Sequence, residues 1–151
     1  MASASFAKMK PSAQSFDREA FYTVMASGNM EEINNELILV RAQSINEKEA
    51  YEGALLMRKA GLLKKPEEKL KAFKSGRIKL ETALLDNNEN GEYRFLRLTI
   101  QEHAPHIVKY YKEQGSDSEY IKAVYKNLSP VVQSAIRNYS KTSKLLKPED
   151  F

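Results

Sequence analysis

Between Glu92 and Pro105 the chain reads EYRFLRLTIQEHAP, its most apolar run. Wound at about 100° per residue, this segment puts Tyr93, Leu96, Ile100 and Ala104 on one side, and Phe95 and Leu98 on nearly the opposite side. A helix that is apolar on two sides has to be packed between neighbours, so this stretch predicts the central helix of an all-α domain. The helix starts near Asn90 or Gly91 and ends before Pro105, because a residue preceding proline is biased away from the α region.

Between the two apolar faces, Arg94, Arg97 and Gln101 line a narrow strip. A guanidinium in such a place requires a carboxylate or several acceptors. The adjacent helices offer Glu49, Glu52 and Glu81 as internal partners. The functional alternative is a groove in which bidentate arginine contacts hold a peptide carboxylate or another anion. Arg77 projects close to Leu70, Phe73, Leu80 and Leu84 on the preceding helix and is placed to join the cluster. Its simpler role is an i,i+4 ion pair with Glu81, worth a few tenths of a kcal/mol on an exposed helix. Arg94, Arg97, Gln101 and Arg77 are therefore the candidate binding residues.

The rest of the chain divides into further helical segments. Ser15 is placed to cap a helix running through Phe16, Phe21 and Val24 to Gly28. Asn29 and Glu32 have capping-box spacing and open a second helix with Ile33, Leu37 and Val40 along one face, which predicts a helical hairpin. Asn46 and Glu49 repeat the box before a third helix that runs to Ala60. Its face of Ala50, Gly53, Ala54 and Met57 is small enough for another helix to approach closely. Pro66 suits the first position of a long helix through Leu70, Phe73, Leu80 and Leu84 that DNNENG terminates. Beyond Pro105, three shorter segments are expected. One covers Ile107 to Gln114 and stops at Gly115. The next is capped by Ser116 to Ser118 and carries Tyr120, Ile121, Val124 and Leu128. The last follows Ser129 and Pro130 and carries Val131, Val132, Ala135, Ile136 and Tyr139. Apolar/polar alternation is nowhere sustained, so no strand is predicted. The expected organisation is one domain over residues 15–143, with about seven to eight helices in successive antiparallel hairpins. Residues 1–14 read as a flexible leader and 144–151 as a C-terminal tail.

A chain of 151 residues buries roughly 70% of the surface that its unfolded form exposes, enough for a core without staples. The absence of cysteine excludes disulfides, thiolate catalysis and zinc ribbons. The N-terminal MASASFAKMKPSAQ has no apolar h-region, and no segment approaches about 20 apolar residues, so no membrane span is expected. A cytoplasmic protein is the default, and an exported one whose signal has been replaced by an initiator Met reads the same way. From Arg58 to Lys79 there are nine Lys or Arg against only Glu67 and Glu68. Lys69, Lys71, Lys74 and Lys79 point in widely different directions on a helix, which describes a solvated surface better than a phosphate-binding stripe. The Tyr and Lys interleaving of KYYK, EYIKAVYK and NYSK leaves weak nucleic-acid binding as a lesser alternative to half-buried packing.

Catalytic signatures are absent. His103 and His106 are the only histidines, and Pro105 breaks the helical register that two metal ligands on one face require, so neither a metal nor a cofactor is expected. An enzyme would have to gather Arg94, Arg97, Gln101, Glu102 and His103 around an anionic substrate, yet Glu102 and His103 project away from the arginine strip.

The segments AYEGALLMRKAG, FKSGRIKLETALLDNNEN and EYRFLRL together resemble a degenerate tetratricopeptide hairpin followed by the start of another. The likeness rests on Ala50, Gly53 and Ala54 in its first helix and on Gly76, Leu80, Ala83 and Leu84 in its second. Pro66 and the LLKK connection lengthen the repeat, and Asn88 stands where that family often has proline. FKSGRIKLETAL, EYRFLRLTIQEHAP and LSPVVQSAIRNYS also resemble small uncharacterised bacterial all-helical proteins. The tetratricopeptide likeness implies a scaffold that presents a concave surface to peptides. The expected function is accordingly a non-enzymatic protein-interaction or scaffold domain, with a protein or an acidic peptide as partner.

Overall fold

The computed structural model describes residues 16–151. Among them are seven α-helices: α1 (Arg18–Ser27), α2 (Met30–Arg41), α3 (Lys48–Ala60), α4 (Pro66–Asp86), α5 (Gly91–Gln101), α6 (Gln114–Val124) and α7 (Pro130–Ser140). Two short 3-10 turns lie between helices (His106–Val108 and Tyr125–Asn127) and a third follows the last one (Pro148–Asp150), and no strand occurs among the described residues. The fold is all-α.

Most helix starts follow local chemistry. The Asn29 side chain accepts from the amide of Glu32, Asn90 from Tyr93, and Ser129 from Val132. Gly28 closes α1 in the left-handed region, at φ 64°. Three expectations need correction. The described cap of α1 is Asp17, whose Oδ1 accepts from Ala20 at 3.0 Å, while Ser15 and the leader 1–14 lie outside the described residues. Helix α3 has no capping box at Asn46: it opens at Lys48 without a side-chain cap, and Glu47 at the cap position is drawn instead to Arg18 at 3.0 Å. No helix covers Ile107 to Gln114. A 3-10 turn ends at Lys109, itself in the left-handed region, and α6 starts at Gln114 and passes straight through Gly115. Glycine inside a helix costs only about 1 kcal/mol, which tertiary contacts at Glu113 and Asp117 outweigh.

Residue pairs give the helix directions. Arg18 meets Tyr51 and Arg58 meets Met25, so α1 and α3 run parallel with α2 returning between them. Gly53 faces Leu80 while Met57 faces Gly76, so α3 and α4 are antiparallel. This crossing is tight. A Cβ on Gly53 would lie 2.6 Å from the Gly76 carbonyl oxygen, and one on Gly76 would lie 2.5 Å from that of Gly53. Two glycines are what let the backbones touch.

Helix α5 separates two apolar clusters. Tyr93, Leu96 and Ile100 join the larger one, built with Phe21, Ile33, Leu37, Tyr51, Leu55 and Leu80. Phe95 and Leu98 turn the other way, into a smaller one with Ile121, Val132, Ile136 and Leu146. The two-faced helix expected from EYRFLRLTIQEHAP is thus the element between the cores. Segment 144–151, read from sequence as a tail, is folded onto the smaller core. Leu146 is fully buried, the Phe151 ring lies 4.6 Å from that of Tyr125, and Lys147 and Asp150 close the final 3-10 turn.

Candidate functional site

The arginine strip of α5 faces α6, and the two helices run antiparallel with three matched positions. Arg97 sits opposite Asp117, donating from Nε to Oδ2 at 2.7 Å and from Nη2 to Oδ1 at 2.9 Å. Its Nη1 reaches Glu81 of α4 at 3.1 Å. Gln101 sits opposite Glu113, donating to its carboxylate at 2.7 Å and accepting from its backbone amide at 3.2 Å. Arg94 lies over the Tyr120 ring at 4.3 Å, donates to the Asn88 carbonyl at 2.7 Å and has Nη1 at 3.5 Å from Asp117. Every guanidinium nitrogen of Arg97 therefore has an internal carboxylate partner.

Arg77 joins this network indirectly. It stacks 4.5 Å from the Tyr110 ring and donates to the Val108 carbonyl, and it makes no ion pair with Glu81. Glu81 instead accepts from the Tyr110 hydroxyl and from Arg97. Of the anticipated carboxylates, Glu81 is a partner of Arg97, Glu52 binds Arg41 and Lys79, and Glu49 is exposed. Asp117, the main partner, was not foreseen. Burial opposes the charge on Arg97, but the bonds and charge of Asp117, then of Glu81, outweigh it and hold the guanidinium protonated. The four candidate binding residues are thus tied together as an internal network across α4, α5, α6 and the loop between α5 and α6.

Sequence reasoning missed two further polar clusters. Glu92, in the first turn of α5, accepts from Tyr22 at 2.6 Å and from Tyr51 at 2.8 Å, with Arg18 3.6 Å away. Burial raises its carboxyl above the ordinary range, against the pull of both tyrosine bonds and of Arg18. Glu102, just past α5, accepts from Tyr139 and Ser143, each at 2.7 Å, and from the Lys144 amide at 3.1 Å, which anchors the C-terminal segment. His103 is exposed, its Nδ1 3.0 Å from the Thr99 carbonyl. Neither converges with Arg94 and Arg97. No buried side-chain nitrogen or oxygen among the described residues lacks a partner.

On the opposite side of α5 lies a cleft of about 510 Å³ between α1, α5 and α7. Met25, Ala26, Phe95, Leu96, Ile100 and Ala135 supply apolar walls, and Arg58, His103, Asn138 and Lys141 supply polar ones. No carboxylate lines it. Arg58 donates from Nε to the Met25 carbonyl at 2.9 Å, capping the end of α1, and makes no ion pair among the described residues. Tyr22 stands between this cleft and the Glu92 cluster. A more open groove of about 960 Å³ continues on the outer side of the α1 and α7 junction, where Glu19 and Glu32 face Arg137 and Lys141.

Among the described residues no group of three or more His, Asp or Glu is arranged to hold a metal ion, and no helix is long and apolar enough to cross a membrane. Fold and cleft define a small all-α domain with an internal arginine network and a separate apolar cleft with a cationic rim. Compared with known protein families, curated proteins and solved structures, the chain matches none.

Proposed function

We propose that this chain is a non-enzymatic protein-interaction domain, and that it receives its partner in the cleft between α1, α5 and α7. The observation that carries this reading is the contrast between arginines. Arg97, Arg94 and Arg18 each have a carboxylate within 4 Å, whereas Arg58 stands beside an apolar cleft without one. An apolar hollow with a few convergent polar groups is the usual form of a ligand site, and a cationic rim selects an acidic occupant. An acidic peptide fits both properties. The likeness of the α3 and α4 segments to a tetratricopeptide hairpin agrees with a scaffold role. A catalytic reading has less support, because no carboxylate lines the cleft and its one imidazole, His103, meets only one polar side chain, the Tyr139 hydroxyl, at 3.4 Å.

The anionic apolar dye anilinonaphthalene sulfonate (ANS) tests the reading. The folded protein should bind it saturably at one site, and Ala26→Trp, which fills the cleft from an exposed position on α1, should abolish that binding. Leu85→Ser on the exposed face of α4 should leave it intact. Equal dye binding by wild type and by a normally folded Ala26→Trp variant would rule out the cleft as the receptive surface.

A further inference from the structure

Three kinds of group line the cleft. Arg58 is held through Nε by the Met25 carbonyl, which leaves its two terminal nitrogens for an outside acceptor, with Nη2 beside Gly28. Met25, Ala26 and Ala135 supply accessible apolar walls above the buried Phe95, Leu96 and Ile100 of α5. Asn138, on the α7 wall, is exposed, and its side-chain amide makes no hydrogen bond to another described residue, so it offers a donor and an acceptor together.

We propose that the cleft accepts the C-terminal end of a polypeptide. The terminal carboxylate meets Arg58, the last apolar side chain lies against Met25, Ala26 and Ala135, and the preceding peptide group pairs with Asn138. This deepens the interaction-domain reading and rests on it. A chain terminus carries a carboxylate, an apolar side chain and a peptide unit within a few bonds, matching the three groups. A fatty acid supplies the carboxylate and the apolar part but has no peptide group to pair with the Asn138 amide. Lys141, also without an ion pair among the described residues, adds a second positive charge at the rim.

The experiment displaces ANS from the full chain with three competitors: the acetylated pentapeptide Ala-Ala-Ser-Phe-Leu with a free C-terminus, the same peptide as its C-terminal amide, and dodecanoate. The free acid should displace the dye, and the amide should be at least about tenfold weaker, because it lacks the charge-assisted fork on Arg58. Arg58→Met should erase the difference between acid and amide. Since Arg58 also caps α1, Lys141→Glu serves as a second variant at an exposed position and should weaken the acid more than the amide. Both variants are compared with wild type by circular dichroism and thermal melting. Equal displacement by acid and amide overturns the proposal, as does displacement by dodecanoate alone. If ANS binds in the cleft and neither peptide displaces it, the terminus proposal fails while the interaction site stands. If ANS does not bind there at all, the underlying reading fails with it.

Discussion

Replacing Arg97 by methionine separates an internal network from a surface feature. Asp117 is 0% exposed and takes bonds of 2.7 and 2.9 Å from Arg97, so after the replacement its nearest cation is Arg94 at 3.5 Å. Removing one partner of a buried pair strands the other, at a cost of about 3–5 kcal/mol. The Glu81 side chain is 35% exposed and can be rehydrated, so it adds little. For a domain whose whole stability is about 5–15 kcal/mol, this is a large fraction. Urea unfolding followed by far-UV circular dichroism reads it as a lowered midpoint at unchanged slope. The double variant Arg97→Met/Asp117→Leu should recover most of the loss, because a buried pair replaced by apolar groups is often neutral or stabilising. Arg94→Met should cost less, about 1–2 kcal/mol, since it loses one carbonyl bond, the stack on Tyr120 and only the longer 3.5 Å pair with Asp117, which keeps Arg97. A loss below about 1 kcal/mol for Arg97→Met, with no recovery in the double variant, would refute the claim that the strip is an internal ion-pair network.

Three other outcomes follow from the packing and the buried charges. Gly53→Ala pushes a methyl group to 2.6 Å from the Gly76 carbonyl and 2.7 Å from the Leu80 amide, so α3 and α4 must part; urea unfolding should show a loss of about 1–3 kcal/mol, and a neutral result would mean that the crossing is looser than described. Burial raises the Glu92 carboxyl, so the folded state binds its proton more readily than the unfolded chain. That stabilisation is complete below the ordinary glutamate value of about 4.3 and is lost as pH rises through the folded value, so wild-type stability should fall with pH across that window more steeply than that of Glu92→Gln; parallel pH profiles would contradict the assignment. Leu146→Ala should cost about 2–5 kcal/mol by thermal or urea unfolding, because Leu146 is fully buried against Ile121 and Ile136, whereas a mere tail residue would show no effect.

What was legible in the sequence followed range. Helix content and several starts were readable because the cap at Asn29, Asn90 or Ser129 lies three residues from the amide it binds. The central position of α5 was readable because two apolar faces on one helix demand two neighbours. The start of α6 was not: Gly115 signals a stop locally, but Gln101 and Arg97 seize Glu113 and Asp117 from 12 and 20 residues away. Asn46 failed as a cap for the same reason, since Arg18, 29 residues earlier, holds the neighbouring Glu47. The strip of Arg94, Arg97 and Gln101 could be placed, but its main partner could not, although an antiparallel hairpin of α5 with the next helix would have brought 117 and 113 opposite 97 and 101. The cleft was invisible because its walls come from α1, α5 and α7, with Arg58 added from α3.

The two sides of α5 therefore have different chemistry for a physical reason. Toward α6, cations and carboxylates meet at bonding distance, and the geometry of Arg97 with Asp117 and of Gln101 with Glu113 fixes the register of the hairpin: sliding α6 by one residue would break both pairs together. Toward α1 and α7, the same helix presents Phe95, Leu96, Thr99 and Ile100 to a hollow whose cations have no acid among its lining residues. A network complete in itself gains nothing from an external anion, because any anion reaching Arg97 must first displace Asp117. Arg58 needs no such displacement: its remaining bond runs through Nε to a carbonyl and leaves the fork open. On this argument the number of arginines near a surface says little about where an anion binds, and the state of their existing partners decides it.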